Sequence, residues 1–349
     1  MPQFTTLSRP TFRLSEGGGS DDFRGKAEAT RLLYYNASMA TSDAAVPTRP
    51  FGRTGINVSI LALGGWHLGV PKTDKEATRL VHAAIDGGIT FMDNAWDYND
   101  GVSETRMGKA LAGRRDEVFL MTKVCVHGRD ARTAMRQLEQ SLRRLKTDYL
   151  DLWQIHEVIF EDEPRKYFAR NGVVEALDRA RQQGKVRFVG FTGHKNPDLH
   201  LEMLSHNFAW DACQLPLNCF DASFRSFEQR VLPELNRRGI AAIGMKSLGG
   251  DARMVKARAV TPQESIRYVL SLPITTLVSG IDTIRVLRQN LAIAQGFRPM
   301  SARQRQALVR RVASMAVDGR FELYKISAAF DGNEARRQHG LPLMDALTA

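Results

Sequence analysis

From Phe51 onward, short runs of apolar residues alternate with longer segments in which apolar residues recur at helical spacing. The runs are "VSILALGG", "ITFMDNA", "VFLMTKV", "YLDLWQIH", "VRFVGFTG", "DACQLPLN", "IAAIGMKSLGG" and "TTLVSGI", starting near positions 58, 89, 118, 149, 186, 211, 240 and 275. Each is close to continuously apolar, as a strand buried on both faces should be. In one intervening segment Met135, Leu138, Leu142 and Leu145 share a stripe with Arg, Gln and Glu opposite, which predicts an amphipathic helix. Eight strand–helix units, starting about 25 to 37 residues apart, match the size and period of a (β/α)8 TIM barrel. A doubly wound sheet is the alternative. It calls for G-x-G-x-x-G after a strand, and "GGWHLG" and "GFTGH" have other spacings. Ahead of the first run, "PFGRTGINVS" reads as a short N-terminal β-hairpin placed to cover the barrel floor.

The two ends depart from this rhythm. Residues 1–48 include "SEGGGSDD" and "SMATSDAAVPTRP" and lack periodicity, so a disordered extension is expected there. They hold no apolar core for a secretory signal, and their mixed acids argue against a transit peptide. A start at Met39 would also account for the segment. The barrel is assigned to 49–300, and 301–349 to an Arg-rich C-terminal helix and an irregular tail packed on the barrel.

Composition narrows the class. Hydrophobic residues make up 43% and charged residues 25%, the balance of a globular chain with a real core. No apolar run approaches the roughly 18 residues of a membrane span. Three cysteines (Cys125, Cys213, Cys219) form no CxxC pair, which suggests reduced thiols and a cytoplasmic setting. The net charge is +11, and from Asp251 onward 15 Lys+Arg face 8 Asp+Glu. Basic residues such as those of "RQLEQSLRRLK" fall on solvated helix faces, without the aromatic interleaving of a nucleic-acid strand. A phosphate-bearing small ligand explains the basic C-terminal half equally well.

Function in a barrel lies at the C-terminal ends of its strands. There the second, third and fourth runs end in Asp93, Lys123 and His156, and Tyr98 follows Asp93 by five residues. A lone Asp93 would cap the next helix. A lone Lys123 would suit a Schiff-base enzyme. His156 has no second ligand at zinc spacing, so no metal is expected. Together the four describe acid-assisted reduction of a carbonyl. A phenol with an ordinary pKa near 10 is too weak an acid, an adjacent ammonium would lower it, and Asp93 would hold that ammonium. His156 would orient or polarise the carbonyl oxygen while Tyr98 delivers a proton. No side chain supplies hydride, so a cofactor must.

These residues, in "FMDNAWDYNDGVSETRMGKAL", "VFLMTKV" and "YLDLWQIH", together with "GKVRFVGFTGH", "CQLPLN" and "VSGIDTIRVLRQNLAIA", give the chain a close resemblance to the aldo-keto reductases over about Pro50 to Pro299. The resemblance implies a catalytic tetrad of Asp93, Tyr98, Lys123 and His156. It also implies an extended NADP(H), or less often NAD(H), along the barrel rim. Matching positions are Gly65, Thr192 and Gln214 (the last two for the carboxamide) and Met245 beneath the nicotinamide ring. Leu248 and Gly280 lie along the phosphates, with Gln289 and Asn290 at the adenine. The carboxamide loop usually reads Ser-Asn but here is Thr192-Gly193, with His194 a potential replacement. The ring-stacking residue is Met245 rather than an aromatic, still a polarisable surface. Where NADP-specific members carry Lys-Ser and an arginine, this chain has Gly280-Ile281 and Val286, leaving Arg285 or Arg288 for the 2′-phosphate. NADP(H) is favoured over NAD(H), and neither a metal nor an iron–sulfur cluster is expected.

Trp66 and Trp96 are candidates for an apolar substrate pocket, and His127 and Cys125 for its wall. Phe321, Tyr324 and Phe330 in the tail are weaker substrate candidates. The expected function is NAD(P)H-dependent reduction of a small-molecule carbonyl by a monomer or homo-oligomer, without nucleic-acid or membrane partners. The alternative is a nicotinamide-nucleotide-binding regulatory or scaffold barrel with little turnover, motivated by the altered carboxamide loop and the basic C-terminal region.

Overall fold

A computed structural model describes residues 45–343 apart from 128, 129 and 329. The disordered extension expected over 1–48 falls outside the described residues as far as 44, and the end of the tail does so from 344. Val46 is buried, and Thr48–Pro50 (β1) pairs antiparallel with Asn57–Ser59 (β2). This is the expected hairpin. Its turn carries Phe51, fully buried against Phe91 and Phe119 with centroids 6.2 and 4.7 Å away. The hairpin thus plugs the barrel floor with one aromatic ring.

The eight apolar runs become the parallel strands of a closed barrel. They are Leu61–Gly64 (β3), Phe91–Asp93 (β4), Phe119–Val124 (β5), Leu150–Ile155 (β6), Val186–Thr192 (β7), Ala212–Pro216 (β8), Ala241–Met245 (β9) and Thr276–Gly280 (β10). Closure is made between β10 and β3, Leu277 opposite Leu61 through Gly280 opposite Gly64. The first run, "VSILALGG", serves two sheets. Its beginning belongs to β2 of the hairpin, and only Leu61–Gly64 enters the barrel.

Helices return the chain between strands: Asp74–Asp86 (α1), Val102–Ala110 (α2), Ala131–Leu145 (α3), Val173–Gln182 (α4), Pro197–Ser205 (α5), Leu232–Arg238 (α6), Pro262–Leu270 (α7) and Ile284–Gln295 (α8). Five of the eight have a side-chain cap at their start, and α2, α4 and α6 do not. Thr73 and Thr261 form capping boxes with Glu76 and Glu264. On α3 the predicted stripe faces inward, with Leu138, Leu142 and Leu145 buried and Met135 partly so. The Arg-rich helix is Ala302–Ala316 (α9), capped by Ser301 with Gln304. Among the described residues no helix is long and apolar enough to cross a membrane.

Beyond α9 the chain crosses the barrel mouth. Lys325 is fully buried, its Nζ 2.7 Å from Asp221 Oδ1, 3.0 Å from Glu322 Oε2 and 2.7 Å from the Phe224 carbonyl. Removing one member of a buried ion group strands the others. We therefore expect Lys325→Met to lower stability by about 3–5 kcal/mol, read as a fall in the urea midpoint.

A half-buried carboxyl sets a pH dependence. Glu228 Oε2 accepts a hydrogen bond from Tyr268 Oη at 2.8 Å, and burial pushes its pKa up to about 7 despite that bond. Its folded pKa exceeds the unfolded value, so its stabilising contribution is complete below the unfolded pKa and is lost as pH rises through about 7. Glu228→Gln should match the parent near pH 4 and exceed it by on the order of 1–3 kcal/mol at pH 8 in denaturant titrations.

Candidate active site

Asp93 is the last residue of β4, Lys123 lies one residue before the end of β5, and His156 follows β6 directly. Because β4, β5 and β6 are neighbours, the three side chains share one stretch of rim. Tyr98 is carried by a helical turn after β4, in which Asn99 and Asp100 adopt left-handed φ of 53° and 55°. Lys123 is 1% exposed. Its Nζ donates to Asp93 Oδ1 at 2.5 Å, to the Asn94 carbonyl at 2.8 Å and to Tyr98 Oη at 3.2 Å. The Tyr98 and His156 rings meet at 75° with centroids 5.5 Å apart. All four residues thus meet around one point.

The electrostatics correct one expectation. Tyr98 is not acidified. Burial pushes its pKa well up, and Asp93, Asp97, Glu157 and Cys125 add to the rise. The Lys123 charge is compensated by Asp93 at contact distance, so little of it is left to favour a phenolate. The phenol therefore keeps its proton throughout the neutral range.

Sequence reasoning missed the partner of His156. Its Nδ1 lies 3.0 Å from Asp97 Oδ1, and a carboxylate only accepts, so Nδ1 carries the proton and Nε2 is the nitrogen left over. Burial lowers the His156 pKa although Asp97 works against it. Burial likewise works to raise the Asp97 carboxyl, and His156 outweighs it to leave the pKa lowered. The signal was the second acid of "AWDY", immediately before the tyrosine. Two other titratable groups at the mouth were missed. Glu157 is buried beside His156, and its pKa is driven well up by burial and then by Asp97 and Asp331. Lys246, next to Met245, is lowered to about 8 by burial, its Nζ 5.3 and 5.1 Å from the Tyr324 and Phe330 ring centroids.

The other candidates fall in different places. Trp66 stands at the mouth, 44% exposed and edge-on to Tyr98 with centroids 5.5 Å apart. Trp96 does not line an open pocket: it is buried, donates from Nε1 to Gln140 Oε1 at 2.7 Å and stacks on His339. His127 is also buried, its Nε2 3.3 Å from Cys125 Sγ. In the tail, Tyr324 is fully buried and donates to Glu322 Oε1 at 2.5 Å, while Phe321 packs on Phe220 at the edge of a cavity also lined by Arg253, Lys256 and Arg320.

Next round the barrel, Thr192 ends β7, and its register partner Gln214 lies in the middle of β8. Gln214 Oε1 is buried without a hydrogen-bond partner, an acceptor suited to a carboxamide NH2. His194 does not serve as a free replacement amide contact, because its Nε2 pairs with Asp331 Oδ1 at 3.2 Å, and burial holds its pKa at about 3. Met245 and Leu248 are half-buried around the end of β9. Gly65 sits under the Asp93 carbonyl, where an added Cβ would lie 2.4 Å from that oxygen, so its position is explained by packing. The space above Gly280 is taken by the His67 ring, 2.2 Å from where a Cβ would stand. Asn290 is buried and donates to Ser279 Oγ at 3.0 Å, and Gln289 is half-buried beside it. Arg285 and Arg288 are exposed on the first turns of α8, and among the described residues neither is tied into an ion pair.

Comparison with known proteins agrees with this architecture. The profile of the Aldo/keto reductase family matches residues 60–295. The uncharacterized oxidoreductase YrpG of Bacillus subtilis is 30% identical over 57% of this chain, and the match spans 65% of that protein's length. YqkF of the same organism, also an uncharacterized oxidoreductase, is 30% identical over 72% of this chain and 92% of its own. Among solved structures, an aldo-keto reductase from Klebsiella pneumoniae in complex with NADPH superposes with a TM-score of 0.63 at 24% identity, covering 78% of this chain and 96% of that one. With a family profile covering more than half its length, the chain belongs to the aldo/keto reductase family.

Proposed function

We propose that this protein reduces aldehyde or ketone carbonyls to alcohols with NADPH, Tyr98 acting as the general acid. The observation that carries the reading is the Lys123 ammonium held between Asp93 and the Tyr98 phenol, with His156 beside them. Reduced nicotinamide, when bound, supplies the hydride. Tyr98 Oη transfers its proton to the carbonyl oxygen as negative charge develops there. Lys123 Nζ, 3.2 Å away, then faces the phenolate left behind, and His156, its ring edge-on to that of Tyr98, bounds the place the carbonyl would occupy. Burial of the whole set strengthens each of these interactions.

The residues fit the cofactor. Gln214 and Thr192 would hold the carboxamide, Met245 and Leu248 would meet the ring and phosphates, and Gln289 and Asn290 the adenine. Arg285 and Arg288, at the start of a helix whose N-terminal turn favours anions, would read a 2′-phosphate. His67 would have to share the space over Gly280 with the phosphates.

Two measurements test this reading. Purified protein mixed with NADPH and an activated aromatic aldehyde should consume NADPH, and Tyr98→Phe should lower kcat by roughly 10²–10⁴-fold while leaving NADPH affinity nearly unchanged. Turnover equal to that of the variant would remove the reductase reading, and tight NADPH binding without turnover would favour a cofactor-sensing barrel. In titrations followed by fluorescence, the double substitution Arg285→Ala, Arg288→Ala should weaken NADPH roughly tenfold and NADH little. Equal weakening of both would take the 2′-phosphate away from these arginines.

A further inference from the structure

Three segments of the rim place a carboxylate, a thiol and an imidazole together. Asp97 lies in the loop after β4, Cys125 directly follows β5, and His156 directly follows β6. One donor atom from each lies within 4.8 Å of the other two, and all three residues are buried. The His156 Nδ1–Asp97 Oδ1 separation is 3.0 Å. In a tetrahedral zinc site, bond lengths near 2.0–2.3 Å put neighbouring donors about 3.5 Å apart. The separations here, from 3.0 Å to at most 4.8 Å, bracket that spacing.

We propose that Asp97, Cys125 and His156 bind a divalent cation of the zinc class beside Tyr98. Thiolate and imidazole donors favour Zn²⁺ or Co²⁺ over Mg²⁺ or Ca²⁺, and three protein ligands leave the fourth position open. Around the three donors stand Lys123, Glu157, Glu163 and Arg336. His127 adds a second observation. Its side chain is 3% exposed, its Nε2 reaches Cys125 Sγ at 3.3 Å, and its Nδ1 has no hydrogen-bond partner. It stands beside the Cys125 sulfur, as groups around metal ligands do.

The site shares His156 with the reductase reading but does not depend on it. Without the cation, Asp97 holds the His156 proton on Nδ1 and Nε2 presents a lone pair. A cation bound at Nδ1 moves that proton to Nε2, which becomes a donor toward a substrate oxygen. The Cys125 thiol gives up its proton to the solvent on binding, so one proton is released per ion.

The test uses the full chain, stripped with a chelator and titrated with Co²⁺. We expect one ion per chain by elemental analysis after desalting, a thiolate-to-cobalt charge-transfer band, and displacement of that band by Zn²⁺. Cys125→Ser should abolish the band, and Asp97→Asn should weaken binding roughly tenfold or more, with far-ultraviolet circular dichroism confirming that both fold. Tyr98→Phe should retain the band, so the outcome is separate from turnover. A wild-type chain that binds no ion, or a band unchanged in Cys125→Ser, overturns the proposal. Should Cys125→Ser fail to fold, undiminished Co²⁺ affinity in Asp97→Asn overturns it equally.

Discussion

A lysine ammonium with 1% exposure cannot stand alone in a protein, and the mouth of this barrel is organised around that constraint. Lys123 has three oxygens within reach, from Asp93, the Asn94 backbone and Tyr98, all supplied by β4 and the loop after it. Losing the parallel register between β4 and β5, in which Phe91 faces Phe119 and Met92 faces Leu120, would leave the ammonium and carboxylate buried apart. The pair also dictates the acidity of the phenol. Compensated at contact distance, Lys123 does little to draw the Tyr98 proton away, and burial among carboxylates keeps it in place. A donor needed at the moment a carbonyl becomes an alkoxide is served by a proton that does not leave beforehand.

The same accounting explains how the C-terminal segment becomes part of the mouth. Asp331 meets His194 and Lys195 from the loop after β7, and Lys325 meets Asp221 from the loop after β8. His339 Nε2 lies 2.7 Å from the Cys125 carbonyl, at the end of β5. Charged and polar contacts of this kind fix position more than they add net stability. They bring Tyr324 and Phe330 over Lys246, so the cation beside Met245 is covered by aromatic faces from the far end of the chain.

What the sequence made legible follows the range over which each signal acts. Strand starts were placed within about three residues because each run is locally apolar. The proximity of Asp93, Tyr98, Lys123 and His156 was legible because strand order alone makes the ends of β4, β5 and β6 neighbours. The errors come from contacts that local pattern does not carry. Trp96 and His194 were assigned open roles, and both are taken up by His339 and Asp331 from the tail. The Tyr98 shift was given the wrong sign because Lys123 was considered before its compensation by Asp93. The division of "VSILALGG" between two sheets depends on Ile60, which leaves the hairpin and turns the chain into the barrel.

Asp97 shows most clearly what three dimensions add. Along the chain it is one acid before a tyrosine. In the fold it faces the imidazole that β6 delivers, 59 positions later, and fixes which nitrogen of His156 bears the proton. That choice has chemical weight because the two proton carriers at the mouth are then unlike. Tyr98 offers an O–H, while neutral His156 offers a lone pair at Nε2. With Nδ1 holding its proton toward Asp97, Nε2 becomes a second donor only if the ring takes up another proton or the proton moves from Nδ1 to Nε2. The Asp97–His156 contact therefore sets which tautomer the neutral ring adopts, from the residue that immediately precedes Tyr98.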